Sequence, residues 1–356
     1  MSAKFAVVGA GWRTEFYLRI AQELPDRFRC VGVVARDPAK ADRLKALFGV
    51  PILAHADELP ATRPDFAVTS VGWGDNPGVV RALAEAGLPV LSETPPAPNV
   101  EAMRGMADLI GRPVQVAEQV ALRPAYQALR AAKPLLGEVL HVQLSVAHGY
   151  HGVSVLEELL GAIGTRPKIR AVRTGSRIVA GPDREGAPRE ERVKDSSQTL
   201  AWLDYPDSKF GVFDFTGDQY FAWIRASRCL VRGPKGEADL NGARWLGDFR
   251  TPLSAPFVRR ETGRGDDLYS PSLEGITLGD DWLYRNPFAG ARLSDDEIAI
   301  ATMMQAVAEG REVYPLARAM HDHQVAIALD RAAETGAAEE VPAEPWHGHL
   351  ARATAG

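Results

Sequence analysis

Cysteine is scarce: the 356 residues include two, Cys30 and Cys229, and neither belongs to a Cys-x-x-Cys pair. That excludes a disulfide framework and a cysteine-based zinc site, and it fits a reducing compartment. Long apolar runs are missing as well. No stretch approaches the roughly 18 residues that span a membrane. Met1-Ser2-Ala3-Lys4 leads straight into an apolar strand pattern, so we expect no signal peptide and a cytoplasmic protein. A basic surplus is absent. Lys and Arg number 41 against 46 Asp and Glu, a net charge of -5, which argues against nucleic-acid binding through a broad basic surface. Internal repeats and low-complexity tracts are absent too. What remains, 46% hydrophobic and 24% charged residues, is an ordinary globular composition. At about 150 residues per domain, the length suggests two domains.

The first third alternates strand and helix patterns. Phe5–Val8, Arg29–Val34, Phe66–Val71, Pro89–Ser92 and Val114–Ala117 are short apolar runs. Helical spacing separates them over 14–24, 38–48, 77–86 and 99–110, with Asp37 and Asn99 as caps and Gly49 and Gly87 as stops. Near-continuous apolar strands alternating with helices predict a parallel sheet covered on both faces. After about Leu122 the pattern changes. Runs at 139–146, 168–172, 199–203, 210–215, 221–231 and 237–240 follow one another with few helices between, which predicts a mainly antiparallel sheet. Helices are expected at 153–160, 295–308 and 316–335, and residues 181–194 read as a mobile loop. The expected division is 1–121, a parallel α/β domain, and 122–356, an α+β domain. The fold class is therefore α/β plus α+β.

Gly9-Ala10-Gly11-Trp12-Arg13-Thr14 stands where the first strand turns into the first helix. This is nearly the Gly-x-Gly-x-x-Gly fingerprint. Its glycines permit a tight turn and close approach of backbone amides to a diphosphate, and the helix N-terminus adds positive potential. Thr14 takes the place of the third glycine. The plain alternative is a glycine turn with no ligand. The second strand ends in Ala35-Arg36, where an acid would hold ribose hydroxyls. An arginine there can pair with a 2′-phosphate, so NADP(H) is favoured over NAD(H). Asp37 reads better as a helix cap. Arg13 either reaches phosphate or lies solvated on the first turn.

Further along, Leu83-Ala-Glu-Ala-Gly-Leu-Pro-Val-Leu-Ser-Glu-Thr-Pro95, the stretch from Glu118 to Tyr126, and Tyr150-His151 heading a helix that ends Leu159-Leu160-Gly161 complete a pattern. With the glycine turn, Ala35–Ala41 and the segment from Asp296 to Gly310 followed by Tyr314-Pro315, the chain resembles the Gfo/Idh/MocA oxidoreductase family over nearly its whole length. The resemblance implies a Rossmann domain followed by an open antiparallel sheet. It implies a nicotinamide cofactor, a sugar or polyol substrate between the domains, and a homo-oligomer (dimer or tetramer) joined through the open sheet face. The chain departs from the family at three polar positions. The lysine of Glu-Lys-Pro is Thr94, the aspartate of Asp-x-Gly-x-His is Ala147, and the acid three residues after that histidine is Ser154.

A threonine hydroxyl cannot replace a lysine as base, whereas histidine carries protons near neutral pH. His151 is therefore the expected acid/base, with Tyr150, Thr94 and Glu93 completing the catalytic set. A cap or core histidine is the plain alternative. Gly9, Gly11, Trp12, Arg13, Ala35, Arg36, Ser70, Val71, Trp73, Asn76, Glu93 and Glu118 are expected to meet the cofactor. Arg123, Tyr126, His148, Tyr150 and His151 are expected to meet the substrate. No metal is expected: His148 and His151 lack an evident third ligand. His321 and His323 read as surface or packing residues, and His347 and His349 as part of a solvated tail. Asp214, Asp218, Tyr220 and Trp223 are expected on a sheet face. Two other readings stand beside hydride transfer to a carbonyl: imine reduction or redox-assisted elimination on the same scaffold, and a nucleotide- or sugar-binding sensor without catalysis.

Overall fold

A computed structural model describes residues 2–183, 186–264 and 267–354. The first domain is a six-stranded parallel sheet, in which β1 (Ala3–Val8), β2 (Phe28–Val34), β3 (Ile52–Leu53), β4 (Phe66–Thr69), β5 (Val90–Ser92) and β6 (Val114–Val116) lie in the order β3-β2-β1-β4-β5-β6. The order reverses at β1, between β2 and β4. In such sheets the crevice beyond the carboxyl ends at that point receives ligands. The strands are apolar and buried because helices cover them: α1 (Thr14–Glu23), α2 (Pro38–Phe48), α3 (Leu59–Thr62), α4 (Asn76–Glu85) and α5 (Val100–Arg104). Asp37 caps α2, its carboxylate accepting the amides of Ala39 and Lys40 at 3.0 and 3.3 Å, and Gly49 ends the helix at φ 64°. The helix expected from Asn99 to Ile110 stops at Arg104, and a short 3-10 turn (Ala107–Leu109) follows.

Val120–Leu122 forms a 3-10 turn that passes the chain to α6 (Pro124–Leu136) and the second domain. An eleven-stranded sheet follows, built from β7 (His141–Ser145), β8 (Lys168–Val179), β9 (Val193–Asp204), β10 (Phe210–Thr216), β11 (Arg228–Gly233), β12 (Gly236–Asp239), β13 (Gly242–Leu246), β14 (Pro252–Arg264), β15 (Asp267–Leu278), β16 (Asp281–Arg285) and β17 (Glu339–Glu340). Its order is β16-β15-β14-β13-β12-β11-β7-β10-β9-β8-β17, antiparallel throughout except where β7 meets β10. The strands from 242 to 285 went unread in sequence, because their apolar residues alternate with charges on a largely exposed ribbon. The run expected as a strand from 221 begins only at Arg228, and 217–227 is an irregular connection. Of the segment read as a loop over 181–194, residues 184 and 185 lie outside the described residues, and Val193 and Lys194 already belong to β9.

α7 (Gly149–Leu160), α8 (Asp295–Ala308), α9 (Leu316–Thr335) and α10 (Pro345–Thr354) complete the chain. α7 starts four residues earlier than expected, so Tyr150 and His151 occupy its first turn. The first domain's core is closed by residues far away in sequence. Ile298, Met303 and Met304 of α8 and Trp346 of α10 pack with Phe5, Val7 and Ile20. A boundary at 121/122 thus separates the two sheets but not the two cores.

Candidate active site

β1 ends at Val8, and the chain turns through Gly9 at φ +114°, a conformation that disfavours side chains. A Cβ on Gly9 would lie 2.1 Å from the carbonyl oxygen of Ser70, and one on Gly11 would lie 3.1 Å from the same oxygen. The glycines thus let the turn rest on the end of β4. Thr14, in place of a third glycine, is buried and donates its hydroxyl to the Gly9 carbonyl at 3.2 Å. From this turn a cleft of about 1260 Å³ opens between the domains.

The cleft collects most of the residues singled out in sequence. Gly9, Gly11, Trp12, Arg13, Ser70 and Val71 form its floor at the turn. Arg36 and Trp73 stand at one end, where Lys40 and His55 join them. Glu93, Thr94, Arg123, His148, Tyr150 and His151 stand at the other. Arg36 is 85% exposed, and its ion pair with Asp75 is loose at 3.8 Å. Such a pair holds little energy and leaves the guanidinium available. Arg123 pairs with Asp296 through two contacts, at 2.8 and 3.0 Å, tying the crossover to the start of α8. Arg13 does not lie solvated: it lines the cleft with its Nε 3.6 Å from Glu93 and its guanidinium 4.7 Å from the Phe16 ring. Glu93 also accepts the buried Tyr17 hydroxyl at 2.5 Å.

Four expected contacts do not reach the cleft surface. Ala35 is buried, its amide bonded to the Leu53 carbonyl. Tyr126 is buried in the second core. Glu118 is buried behind His151. Asn76 is buried as a clamp: its Oδ1 accepts from Thr69 at 2.7 Å, and its Nδ2 donates to Ser92 at 2.9 Å and to the Pro96 carbonyl at 3.2 Å. Asn76→Ala leaves those groups without partners and is expected to cost about 2 kcal/mol. A lower urea midpoint at unchanged m-value would record it.

At the far end three rings meet. His151 lies edge-on to His148, with ring centroids 5.1 Å apart, and Tyr150 lies 4.3 Å from His151. His151 Nδ1 is 2.5 Å from Glu118 Oε2. Burial pushes the Glu118 carboxyl upward, but the His151 ring and the Val120 amide outweigh that and leave it lowered. His148 Nδ1 is 2.6 Å from the Tyr220 hydroxyl. Burial, and then the neighbouring His151, push the His148 ring down to about 4. Burial raises the Tyr150 phenol, against a hydrogen bond with Thr94. Tyr220 was not read as part of the site, nor were Gln219 and Phe221 beside it. Thr216-Gly217-Asp218 is a turn signal that could have placed the following aromatics in a connection over the cleft. Of the group expected on a sheet face, only Asp214 lies on a strand, bonded to Arg228 at 2.8 Å. Asp218, Tyr220 and Trp223 lie in that connection.

His321 belongs to the core and His347 is half-buried, whereas His349 is exposed as expected. His321 is fully buried, its Nε2 3.0 Å from Glu157 and its Nδ1 3.0 Å from His347 Nε2. Among the described residues, Glu157, His321 and Asp322 form one trio compact enough for an ion. Asp322, however, also accepts the Tyr314 hydroxyl and lies 3.8 Å from Arg318 Nε. A guanidinium at that distance opposes a further cation, so the trio belongs to a buried charge network.

The residues present fit a dinucleotide. The turn that a Cβ would fill, the cations at Arg36 and Lys40, and a buried Gln119 Oε1 at the cleft wall, without a partner among the described residues, all suit a long polar ligand. Residues 3–116 match the model of the Gfo/Idh/MocA oxidoreductase family, NAD-binding Rossmann fold. A myo-inositol dehydrogenase of Streptomyces leeuwenhoekii is 34% identical over 144 residues, which is 39% of this chain and 43% of that protein, so the match spans less than half of the relative. Scyllo-inositol dehydrogenase from Lactobacillus casei shares the fold at TM-score 0.66 and 15% identity, over 96% of this chain and 98% of that one. A levoglucosan dehydrogenase, solved with NADH and levoglucosan, does so at TM-score 0.69 and 14% identity, over 96% and 100%. Among the described residues no helix is long and apolar enough to cross a membrane.

Proposed function

We propose that the chain is an oxidoreductase of the Gfo/Idh/MocA family, whose model its residues 3–116 match, and that it transfers hydride between a nicotinamide dinucleotide and a hydroxyl-bearing carbon of a sugar or polyol. The observation that carries this reading is the His151–Glu118 pair, 2.5 Å apart, at the end of a cleft that begins on a glycine turn. When bound, the nicotinamide supplies the hydride acceptor or donor. The chain supplies the rest. The turn and the first turn of α1 hold the diphosphate. Glu118 accepts from His151 Nδ1–H and fixes the ring, and His151 Nε2 takes the proton from the substrate hydroxyl or returns it. Thr94, lacking a basic group, orders Tyr150 by hydrogen bond. The inositol and levoglucosan dehydrogenases among its relatives support a cyclic polyhydroxy substrate.

NADP(H) is the favoured cofactor, since Arg36 and Lys40 present cations where the second strand ends, and the carboxylate of Asp37 is spent on capping. Arg36→Glu is expected to weaken NADP+ binding about 10- to 100-fold, the worth of a charge-assisted contact, and to leave NAD+ nearly unaffected. Calorimetric titration with both dinucleotides checks this. We place the enzyme in the cytoplasm as a homo-oligomer. Val172 opposite Leu200, with Trp202 beside them, leaves an exposed apolar strip on the outer sheet for a second copy. The reading is tested by incubating the protein with NADP+ or NAD+ and a panel of polyols and sugars, and following reduced-nicotinamide absorbance. Absence of heat with either dinucleotide sinks it. Binding without turnover on any substrate would favour the sensor.

A further inference from the structure

The first turn of α7 brings together two imidazoles whose Nδ1 atoms meet different kinds of partner. That of His151 faces Glu118, a carboxylate. An ionised carboxylate accepts and never donates, so His151 Nδ1 carries hydrogen and its Nε2 is the atom left to gain or lose a proton. That of His148 faces the Tyr220 hydroxyl at 2.6 Å, and the same oxygen accepts the backbone N–H of His148 at 3.0 Å. A phenol has one hydrogen. With its oxygen already accepting from the amide, that hydrogen is directed to Nδ1. The opposite arrangement would set two donors on one oxygen and leave the phenol hydrogen without a use. Burial keeps the phenol protonated. The titratable groups facing His148 are His151, Glu118, Tyr150, Tyr220 and, from α9, His323. Burial and the two histidines keep the ring neutral against the pull of Glu118. Among the described residues no protein group bonds Nε2 of either ring, and both rings line the cleft.

We propose that these neighbouring imidazoles are held in opposite tautomers, with Tyr220 as the positioning residue that makes His148 a standing Nε2–H donor to the substrate oxygen while His151 exchanges the proton. The inference rests on the oxidoreductase reading for its chemical use, though not for the tautomers themselves. In the oxidation direction the substrate O–H bond breaks, and its proton goes to His151 Nε2. The C–H bond breaks, and its hydrogen leaves with both electrons for the nicotinamide. The carbon–oxygen double bond forms, and His148 keeps its proton throughout. A donor that never ionises in the working range polarises the carbonyl in both directions. Were His148 in the other tautomer, its Nε2 would compete with His151 for the hydroxyl proton. The connection at 217–227 thus enters the site as the part that sorts the two histidines.

The test uses the full chain labelled with ¹⁵N-histidine and long-range ¹H–¹⁵N correlation, which reports the tautomer of each of the eight histidines, assigned with His148→Gln and His151→Gln. Wild type is expected to show hydrogen on Nε2 of His148 and on Nδ1 of His151. Tyr220→Phe is expected to give a tautomer mixture at His148 and no change at His151. In kinetics with a substrate found by the panel, His148→Phe is expected to lower kcat about 100-fold with little change in KM. His148→Gln, which retains a side-chain donor, is expected to recover most of it. Hydrogen on Nδ1 of His148 in the wild type overturns the proposal, whatever the variants do. So does wild-type kcat in His148→Phe. Because the spectra require no turnover, failure of the tautomer assignment and failure of the oxidoreductase reading are separable.

Discussion

Replacing His151 by alanine is expected to lower kcat by about 10³-fold while dinucleotide affinity stays within a factor of about two. Among the described residues, the ring is the one group at the reaction end of the cleft that is both fixed by a buried carboxylate and left with an unbonded nitrogen. Thr94 cannot take over, and the buried Tyr150 phenol is pushed further from ionisation. The glycine turn is formed by a separate part of the chain, so binding is expected to persist. Steady-state rates beside calorimetric titration check both halves. Normal turnover would remove His151 from the mechanism.

The same substitution changes the response to acid. In the wild type Glu118 titrates below its usual range, because His151 and the Val120 amide overcome burial. A carboxylate lowered on folding stabilises the protein above its unfolded value of about 4.3, and that contribution is lost as pH falls through the folded value. Without the imidazole, burial dominates and the carboxyl moves up. The sign then reverses, so His151→Ala is expected to lose stability as pH rises from 5 to 8, relative to wild type. Thermal melts across that range measure it.

Gly9→Ala is expected to abolish measurable dinucleotide binding, a loss of at least about 100-fold, and to lower stability by about 3 kcal/mol. Two costs act together. The backbone at φ +114° strains any side chain, and the new Cβ would stand 2.1 Å from the Ser70 carbonyl oxygen. That oxygen is part of the backbone at the end of β4 and cannot rotate away, so the turn and the N-terminus of α1 must move off the sheet. Gly11→Ala is the internal control. Its Cβ meets the same oxygen at 3.1 Å, a contact that a shift of a few tenths of an ångström relieves, and its φ is not left-handed. A much milder loss is expected there. Calorimetry and urea midpoints on the two variants should separate, and equal effects would show that Ser70 does not limit the turn.

The sequence alone carried five of the parallel domain's six strands, without the two-residue β3, and with them the caps at Asp37 and Asn99, the glycine turn, and α8 and α9 to the residue. Each of these is written locally, in a period of apolar residues or in a side chain that bonds its own neighbouring backbone. His151, Thr94 and Arg36 could likewise be placed, because each sits a fixed number of residues from such a local element. Tertiary structure decided what depends on contacts between distant segments. It turned Arg13 inward to Glu93, made Asn76 a clamp and Glu118 a partner of His151, brought Tyr220 onto His148, and closed the first core with α8 and Trp346. A residue's type and spacing fix what it can donate or accept. Which partner satisfies it is settled only when burial removes water as the alternative, and that happens across elements far apart in the chain.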